Sequence, residues 1–415
     1  LERVVITGMG VVSPLGNSVE TFWQHLVEGR SGISVIDSFD VTRHKTKIAG
    51  VVRDFNAEDI LDRKEARRLD RFCQFALAAA EQAWTDSRLN LDNIDTERLG
   101  VYVGSGTGGI ETLIKNVDIL RERGPGRVSP TLVPMMISNM AAAQISMKWG
   151  AMGPTMSPVT ACSIGNTAIG EAYKLIRSGG ADVIFAGGTE AAITDLSLAS
   201  FENATALSTR NDDPAGASRP FDANRDGFVM AEGAGILILE SLSHALYRNA
   251  PIYAEVIGYG ASSDAYHMVS PHPEGKGAYL AIKMALHDAS ISSEEVNMIS
   301  AHATSTEIGD RCETMAIKKL FGTEAYRIPI TANKSMTGHM LGAAGGAEAI
   351  ALVKSLQEGI IPPTINQEQS DPLCDLDYVP NVARQANLNI GLSNSFGFGG
   401  HNAVIVLKKY KQDKL

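Results

Sequence analysis

An α/β fold made of two similar halves is what this sequence predicts, and three observations carry it. Short β-branched runs alternate with longer helical patterns along the whole chain, the mark of crossover units around a largely parallel sheet. The alternation restarts after about residue 250, so residues 1–250 and 251–415 read as two halves with one element order, although no residue-level repeat links them. No flexible Pro/Gly/Ser-rich linker separates them, so one continuous core is expected, with a site at the junction of the halves.

The first half opens on Arg3–Thr7, where Val4, Val5 and Ile6 stand together and favour a strand. Val19–Glu28 reads as a helix, and so does Lys64–Ser87, whose Ala78-Ala79-Ala80 run favours helix. Gly100–Gly104 holds Val-Tyr-Val and reads as a strand. Helices are expected at Leu132–Trp149 and Ser163–Ser178, and strands at Asp182–Ala186 and Gly235–Glu240. The polar stretch Leu207–Arg219, with Asn211-Asp212-Asp213-Pro214, is an exposed loop. In the second half the order is strand Tyr253–Tyr259, helix Lys276–Ala289, strand Asn297–Ala301, helix Asp310–Phe321, strand Ile328–Thr331 and helix Gly342–Gln357. Strands Ile390–Ser393 and Ala403–Leu407 close it. A long loop, Ser262–Gly277, carries Asp264, His267 and two prolines around His272.

Composition narrows the function classes. Apolar residues make 44% and charged residues 20% of 415, an ordinary globular balance with material for a core. The net charge of -10 leaves nucleic acid or an anionic membrane without a bulk attraction, and no long basic tract supplies a local one. No run of about 18 apolar residues marks a membrane span, and no basic-then-apolar leader precedes the first strand. Leu1 is not an initiator residue, which implies trimming or addition upstream. Cys73, Cys162, Cys312 and Cys374 form no CxxC pair, so neither a zinc knuckle nor a disulfide framework is expected; a reducing, cytoplasmic setting fits. His267, His272 and His401 follow no zinc spacing, so no metal is expected. Gly108-Gly109 and Gly187-Gly188 lack the GxGxxG arrangement of a dinucleotide site, so no cofactor is expected there.

Chemistry concentrates at a few positions. Cys162, in Val159-Thr160-Ala161-Cys162-Ser163-Ile164-Gly165-Asn166, stands where an extended run turns into a helix. Unpaired N–H groups at a helix start favour the thiolate, so this cysteine is expected to have a lowered pKa; the alternative is a small buried apolar side chain. His302 and His339 each follow a strand-like segment and so sit near strand ends. The stretch Asn394-Ser395-Phe396-Gly397-Phe398-Gly399-Gly400-His401-Asn402 is dense in glycine, where N–H groups can hold an oxyanion. One cysteine, two loop imidazoles and such a loop make a nucleophile with acid/base and charge-stabilising partners, adjacent in space rather than in sequence.

In the order Cys162, then His302-Ala303-Thr304-Ser305-Thr306, then Asn333-Lys334-Ser335-Met336-Thr337-Gly338-His339, then the glycine-rich stretch, the chain resembles the elongating β-ketoacyl-acyl carrier protein synthases, most nearly type II. The resemblance runs from Arg3–Gly10 through Arg219–Asp222 and Arg225–Met230 to Ala403–Leu407. It implies a thiolase-like fold with a layered α-β-α-β-α core, a homodimer, acyl carrier protein as partner, and no bound cofactor, the substrates riding on phosphopantetheine. Decarboxylative condensation would extend an acyl chain on Cys162 by two carbons. The resemblance assigns the enolate oxygen to His302 and His339, and the tetrahedral oxyanion to the N–H groups of Cys162 and Phe398. Lys334 and Glu313 are implied as an ion pair that orients the histidines, with a helix-surface pair as the alternative. Thr304 and Thr306 match pantetheine-binding positions, and Thr107 an acyl-pocket position. Phe398 matches a gating ring, with Asp264 on the facing loop; a core aromatic is the alternative. Lys64, Arg67, Arg68 and Arg71 are implied as the carrier-binding cluster, with a solvated helix face as the alternative.

Four positions depart from the family's usual pattern. Ser163–Thr167 replaces the familiar small-Thr-Gly run, and Ala303 stands where glycine is usual, expected to add a methyl beside the pantetheine channel. Thr107 replaces isoleucine, and Thr205 a carrier-binding arginine of some members. The readings that follow are a fatty-acid elongating enzyme, a specialised condensing enzyme of a polyketide or dedicated lipid pathway, and a non-catalytic chain-length partner, against which Cys162 argues. Degradative thiolase chemistry would need a second cysteine near the glycine-rich loop, and none is there.

Overall fold

The structure, a computed structural model, describes residues 1–411. The first half contains β1 (Val4–Val12), α1 (Val19–Val27), β2 (Ile33–Val35), β3 (Ile48–Gly50), α2 (Arg63–Ala66), α3 (Arg71–Ser87), β4 (Leu99–Gly104), α4 (Ile110–Arg123), α5 (Leu132–Met136), α6 (Met140–Trp149), β5 (Thr155–Met156), α7 (Ile164–Arg177), β6 (Val183–Glu190), α8 (Asp195–Asn203), β7 (Gly233–Ser241) and α9 (Leu242–Tyr247). The second contains β8 (Ala254–Ser263), α10 (Lys276–Ala289), β9 (Met298–Ser300), α11 (Glu307–Phe321), β10 (Ile330–Thr331), α12 (Lys334–Thr337), α13 (Ala344–Glu358), β11 (Ile360–Ile361), β12 (Arg384–Gln385), β13 (Ile390–Gly397) and β14 (His401–Lys409).

Ten of these strands form one sheet in the order β10-β9-β13-β14-β8-β1-β7-β6-β4-β5. Read inward from its two edges, the sheet repeats one pattern: β5-β4-β6-β7-β1 on one side and β10-β9-β13-β14-β8 on the other. The halves meet where Val4–Ile6 of β1 pair with Ala254–Val256 of β8. The sheet is mixed, which corrects the expectation of a largely parallel one. The pairs β4–β5, β4–β6, β9–β10 and β9–β13 are parallel, while β1, β7, β8 and β14 run antiparallel to every neighbour.

Helices lie in three layers. α3 and α6 cover the outer face of the first half's strands, α10 covers that of the second half with α11 beside it, and α7 and α13 lie between. This is the layered α-β-α-β-α core expected from the resemblance. The middle layer packs backbone on backbone. A Cβ on Gly165 of α7 would stand 2.4 Å from the Gly346 nitrogen of α13, and one on Gly346 would stand 2.1 Å from the Gly235 oxygen of β7, so only glycine allows these contacts.

Two expected helices are broken. Lys64–Ser87 divides because Asp70 leaves the helical conformation and caps α3, accepting the Phe72 N–H at 3.3 Å. Leu132–Trp149 divides after α5, where Ile137 is extended and the Met136 carbonyl takes the Gly109 N–H at 2.8 Å. Helices α4, α8 and α9 were not read from the sequence. α4 buries Thr112 and Asn116, while its apolar positions Ile110, Leu113, Ile114, Val117 and Leu120 stay half-buried or exposed.

Candidate active site

The turn that carries Cys162 is built against the glycine-rich loop. From β5 the chain runs to Ala161, whose φ of +52° reverses its direction, and a single 3₁₀ turn, Ala161–Ser163, leads into α7. Gly397 packs on this turn; a Cβ there would lie 2.7 Å from the Thr160 oxygen and 2.9 Å from the Cys162 nitrogen. The Ser163–Thr167 departure is structural. Asn166 is buried and donates from Nδ2 to the Ser393 and Ala403 carbonyls at 2.9 and 3.2 Å, and the Thr160 and Thr167 hydroxyls bond at 2.9 Å. The second half repeats the turn. Leu341, with φ +50°, opens the 3₁₀ turn Leu341–Ala343 that leads into α13, and Gly342 stands where Cys162 stands in the first half.

The expected lowering of the Cys162 pKa is not what the site produces. Burial pushes the thiol up to about 11, more than the Lys334 charge and the backbone N–H groups of Phe398 and Cys162 pull it down. The helix start is present, but desolvation outweighs it. Cys73 and Cys374 are also pushed up, and the four cysteines are free.

His302 and His339 share the same cavity, with ring centroids 5.5 Å apart and planes at 86°. His339 is buried, its N–H donates to the Val229 carbonyl at 2.7 Å, and its Nδ1 accepts the Leu341 N–H at 3.3 Å. An accepting Nδ1 leaves the proton on Nε2, so this imidazole presents a donor to the cavity. Phe228 lies edge-on at 5.4 Å and closes its other side. Both histidines are held well below the usual histidine range by burial first and then by Lys334, and His302 by His339 as well. Two imidazoles held neutral therefore line the cavity that also holds Cys162.

Lys334 does not pair with Glu313 as expected. Its ammonium bonds Glu348 of α13, and both are buried. Burial pushes the Glu348 carboxyl up while Lys334 opposes it. Glu313 instead holds the backbone of the histidine loop: Oε1 accepts the His302 N–H at 2.9 Å, Oε2 the Ala303 N–H at 2.8 Å, and Asn394 Nδ2 donates to Oε1 at 3.0 Å. The reason is reach. Glu313 sits on α11 beneath the loop, while α13 passes beside α12. Ala303, expected beside the pantetheine channel, is 1% exposed in the apolar core around Ile299 and Ile317, with φ +29°. Its methyl points away from the channel, and the usual glycine answers to the backbone conformation instead.

Cys162, His302, His339, Thr304, Thr306, Thr107, Phe398, Asp264 and Glu313 all line one cavity of about 690 Å³. The Thr304 and Thr306 hydroxyls lie 3.1 Å apart. Thr107 bonds Glu190 through its N–H at 2.9 Å and its hydroxyl at 2.6 Å. Phe398 is 38% exposed, next to Gly399 and Gly400 with φ of +82° and +75°. Its loop is tied to the facing loop, since Gly399 N–H donates to the Met268 carbonyl at 2.7 Å and Asp264 N–H to the Gly400 carbonyl at 2.9 Å. The Asp264 carboxylate accepts from Asn402 Nδ2 at 2.9 Å and from the His272 N–H at 3.1 Å, so it fastens loops together. Thr205, exposed and with φ +53°, stands at the rim.

Lys64, Arg67 and Arg68 are exposed on and just after α2. Arg71 is not part of that free patch: it pairs with Glu232 at 3.0 Å and lies over the Phe75 ring at 4.5 Å. Two site carboxylates escaped the sequence reading, Glu190 and Glu348. The signal was there in each case, a lone acid closing the strand of Gly187-Gly188-Thr189 and a lone acid within the small, apolar run of α13. Among the described residues no cluster of three or more His, Cys, Asp or Glu could hold a metal ion, and no helix is long and apolar enough to cross a membrane.

Comparison with known proteins gives a consistent picture. Residues 1–245 match the family described as beta-ketoacyl synthase, N-terminal domain, and residues 253–368 that described as beta-ketoacyl synthase, C-terminal domain. The 3-oxoacyl-[acyl-carrier-protein] synthase 2 of Synechocystis sp. is 51% identical over 410 residues, 99% of each chain. Its namesake from Staphylococcus aureus strain N315 is 49% identical over the same length, with the same coverage. Among solved structures, the complex of a type II polyketide synthase acyl-carrier protein with its ketosynthase, AntDE:AntF, aligns at a TM-score of 0.92 and 38% identity, covering 99% of this chain and 100% of that one. A β-ketoacyl synthase from Burkholderia phymatum aligns at 0.93 and 34%, with the same coverage.

Proposed function

We propose that this chain, which belongs to the β-ketoacyl synthase family, condenses malonyl-acyl carrier protein with an acyl group on Cys162 in fatty acid elongation, giving 3-oxoacyl-acyl carrier protein and CO2. The observation that carries this is one cavity holding a thiol under two backbone N–H groups and two neutral imidazoles.

Cys162 Sγ attacks the carrier thioester, and its proton leaves on the pantetheine sulfur, so acyl transfer is balanced without a net base. The oxyanion forms under the N–H groups of Cys162 and Phe398. Malonyl thioester then loses CO2; the electrons of the broken C–C bond pass to the enolate oxygen, which His302 and His339 receive as neutral donors. Donors placed in advance are worth about 3 kcal/mol each. The enolate carbon bonds the acyl carbon, and Cys162 departs as a thiolate that regains a proton from solvent. Neutral imidazoles suit this, because decarboxylation removes no proton from carbon. Lys334, Glu348 and Glu313 position the histidines, Thr304 and Thr306 hold the pantetheine arm, and Phe398 gates the cavity with Asp264 anchoring its loop.

Lys64, Arg67 and Arg68 are the docking patch for the acidic carrier protein. The working unit is a homodimer. Among the described residues β5 ends the sheet with no strand beyond it, and Val133, Met147, Met152, Met156 and Val159, on or near that edge in sequence, are 37% to 68% exposed. Val159 also lines the cavity, so a second copy would close the acyl pocket. The free thiols suit the cytoplasm.

Intact mass of the protein incubated with acyl-carrier proteins of graded length, with and without malonyl-carrier protein, tests the reading beside Cys162→Ala. A Cys162-dependent acyl adduct and a product two carbons longer are expected. Acylation only by a dedicated carrier would move the chain to a specialised pathway, the direction in which the polar Thr107 points.

A further inference from the structure

Glu190 closes β6 and is 0% exposed, yet it lines the cavity with Cys162. Its Oε1 accepts the Ser105 hydroxyl at 3.0 Å, the Thr107 N–H at 2.9 Å and the Thr107 hydroxyl at 2.6 Å. Its Oε2 accepts the N–H groups of Gly106 and Gly342, both at 3.0 Å. Five donors converge on this one side chain, so both of its oxygens act as acceptors. Among the described residues it has no ion-pair partner, a state it shares with Glu313 of the same cavity, whereas the buried acids behind the wall, Glu348 and Asp310, each face a cation.

The partners are informative. Gly106 and Thr107 follow β4 in the first half, while Gly342 belongs to the second half and occupies the place equivalent to Cys162. The N–H that in the first half serves the oxyanion is, in the second, held by a protein carboxylate. A Cβ on Gly106 or Gly342 would stand 3.0 or 2.8 Å from Oε2, so both glycines are shaped to this group.

We propose that Glu190 is a positioning residue of the condensation, pinning Gly106–Thr107 to the Leu341–Gly342 turn to fix one wall of the acyl cavity, and placing a carboxylate without an ion-pair partner in the cavity of Cys162, where it adds to the resistance that burial sets against the thiolate. The wall rests on the function proposed above; the charge does not. Glu190 acts on the thiol in the direction of protonation, and Lys334 from α12 opposes it. His302 and His339 are neutral and add no charge. Of the remaining ionisable groups in the cavity wall, Glu313 and Asp264 are engaged by backbone N–H groups, and His272 accepts the Glu274 N–H through Nδ1. His401 lies beyond Phe398 at the mouth.

Glu190→Gln removes the charge, keeps the shape and turns one acceptor into an NH2 that faces N–H or O–H donors. Iodoacetamide alkylation of Cys162 near pH 8, read by mass, should speed up about threefold or more, the equivalent of half a pH unit. The ratio of long- to short-chain acyl-enzyme should shift as well. Thr107→Val deletes one donor and no charge; it should move the chain-length ratio and leave the alkylation profile in place. A folded Glu190→Gln protein with wild-type alkylation and wild-type ratio overturns the proposal. If circular dichroism shows that variant unfolded, Thr107→Val and Ser105→Ala decide: wild-type ratios in both overturn it. Alkylation needs no carrier protein, so a wild-type enzyme that takes no acyl group would count against the proposed function and leave the charge testable.

Discussion

Cys162 is shaped by opposed demands: a buried thiol suits a long acyl chain, and a thiolate suits attack. With its pKa raised to about 11, alkylation of the resting enzyme should climb steadily from neutral pH to pH 10 without a plateau. A plateau near pH 7 would show a preformed thiolate. The two imidazoles divide the work differently. His302→Ala and His339→Ala should each lower condensation by at least about a hundredfold, the scale of losing one placed donor, while acyl-Cys162 still forms. Loss of acylation along with condensation would mean that they act on Cys162 instead of the enolate. The nucleophile and both histidines were legible because each stands in a short motif between strand and helix. The acids behind them were not. Which carboxylate reaches Lys334 depends on how α11 and α13 pass α12, and that is a fact of packing across 14 to 21 residues of sequence.

At the scale of elements, the join between α12 and α13 is the most exacting. Lys334→Ala leaves Glu348 buried without its cation and should cost about 3 to 5 kcal/mol in urea unfolding. Lys334→Met with Glu348→Leu should cost less than the single change; an equal or larger cost would show that the pair adds net stability. Gly397→Ala presses a Cβ onto the Cys162 turn and should cut acylation and condensation together. Strands and long amphipathic helices were readable from β-branched runs and periodicity. The breaks inside Lys64–Ser87 and Leu132–Trp149 were not, because caps and a borrowed carbonyl decide them. Nor was the sheet's mixed direction, since adjacency of β7 to both β1 and β6 is set by a long return through residues 191–232.

Across the whole molecule, buried ionisable groups make stability pH-dependent with opposed signs. His302 and His339, held below their usual range, stabilise the fold fully above about pH 6.5, and that contribution is lost as pH falls. Glu313, Glu348 and Asp310 are raised, so their contribution is lost as pH rises from the usual carboxylate range. Comparing wild type with His302→Asn/His339→Asn largely cancels the acids. The Tm of the variant relative to wild type should rise between about pH 7.5 and 5; a constant difference would contradict neutral buried imidazoles. The two-half order was visible in the sequence, but the shared middle layer was not. That layer has a consequence for biosynthesis. α7 is synthesised roughly 180 residues before α13 is complete, on the order of 10 to 35 s at ordinary synthesis rates. Throughout that interval the face of α7 around Gly165 lacks its partner, so the newborn first half is the stage of this protein's life most in need of a chaperone.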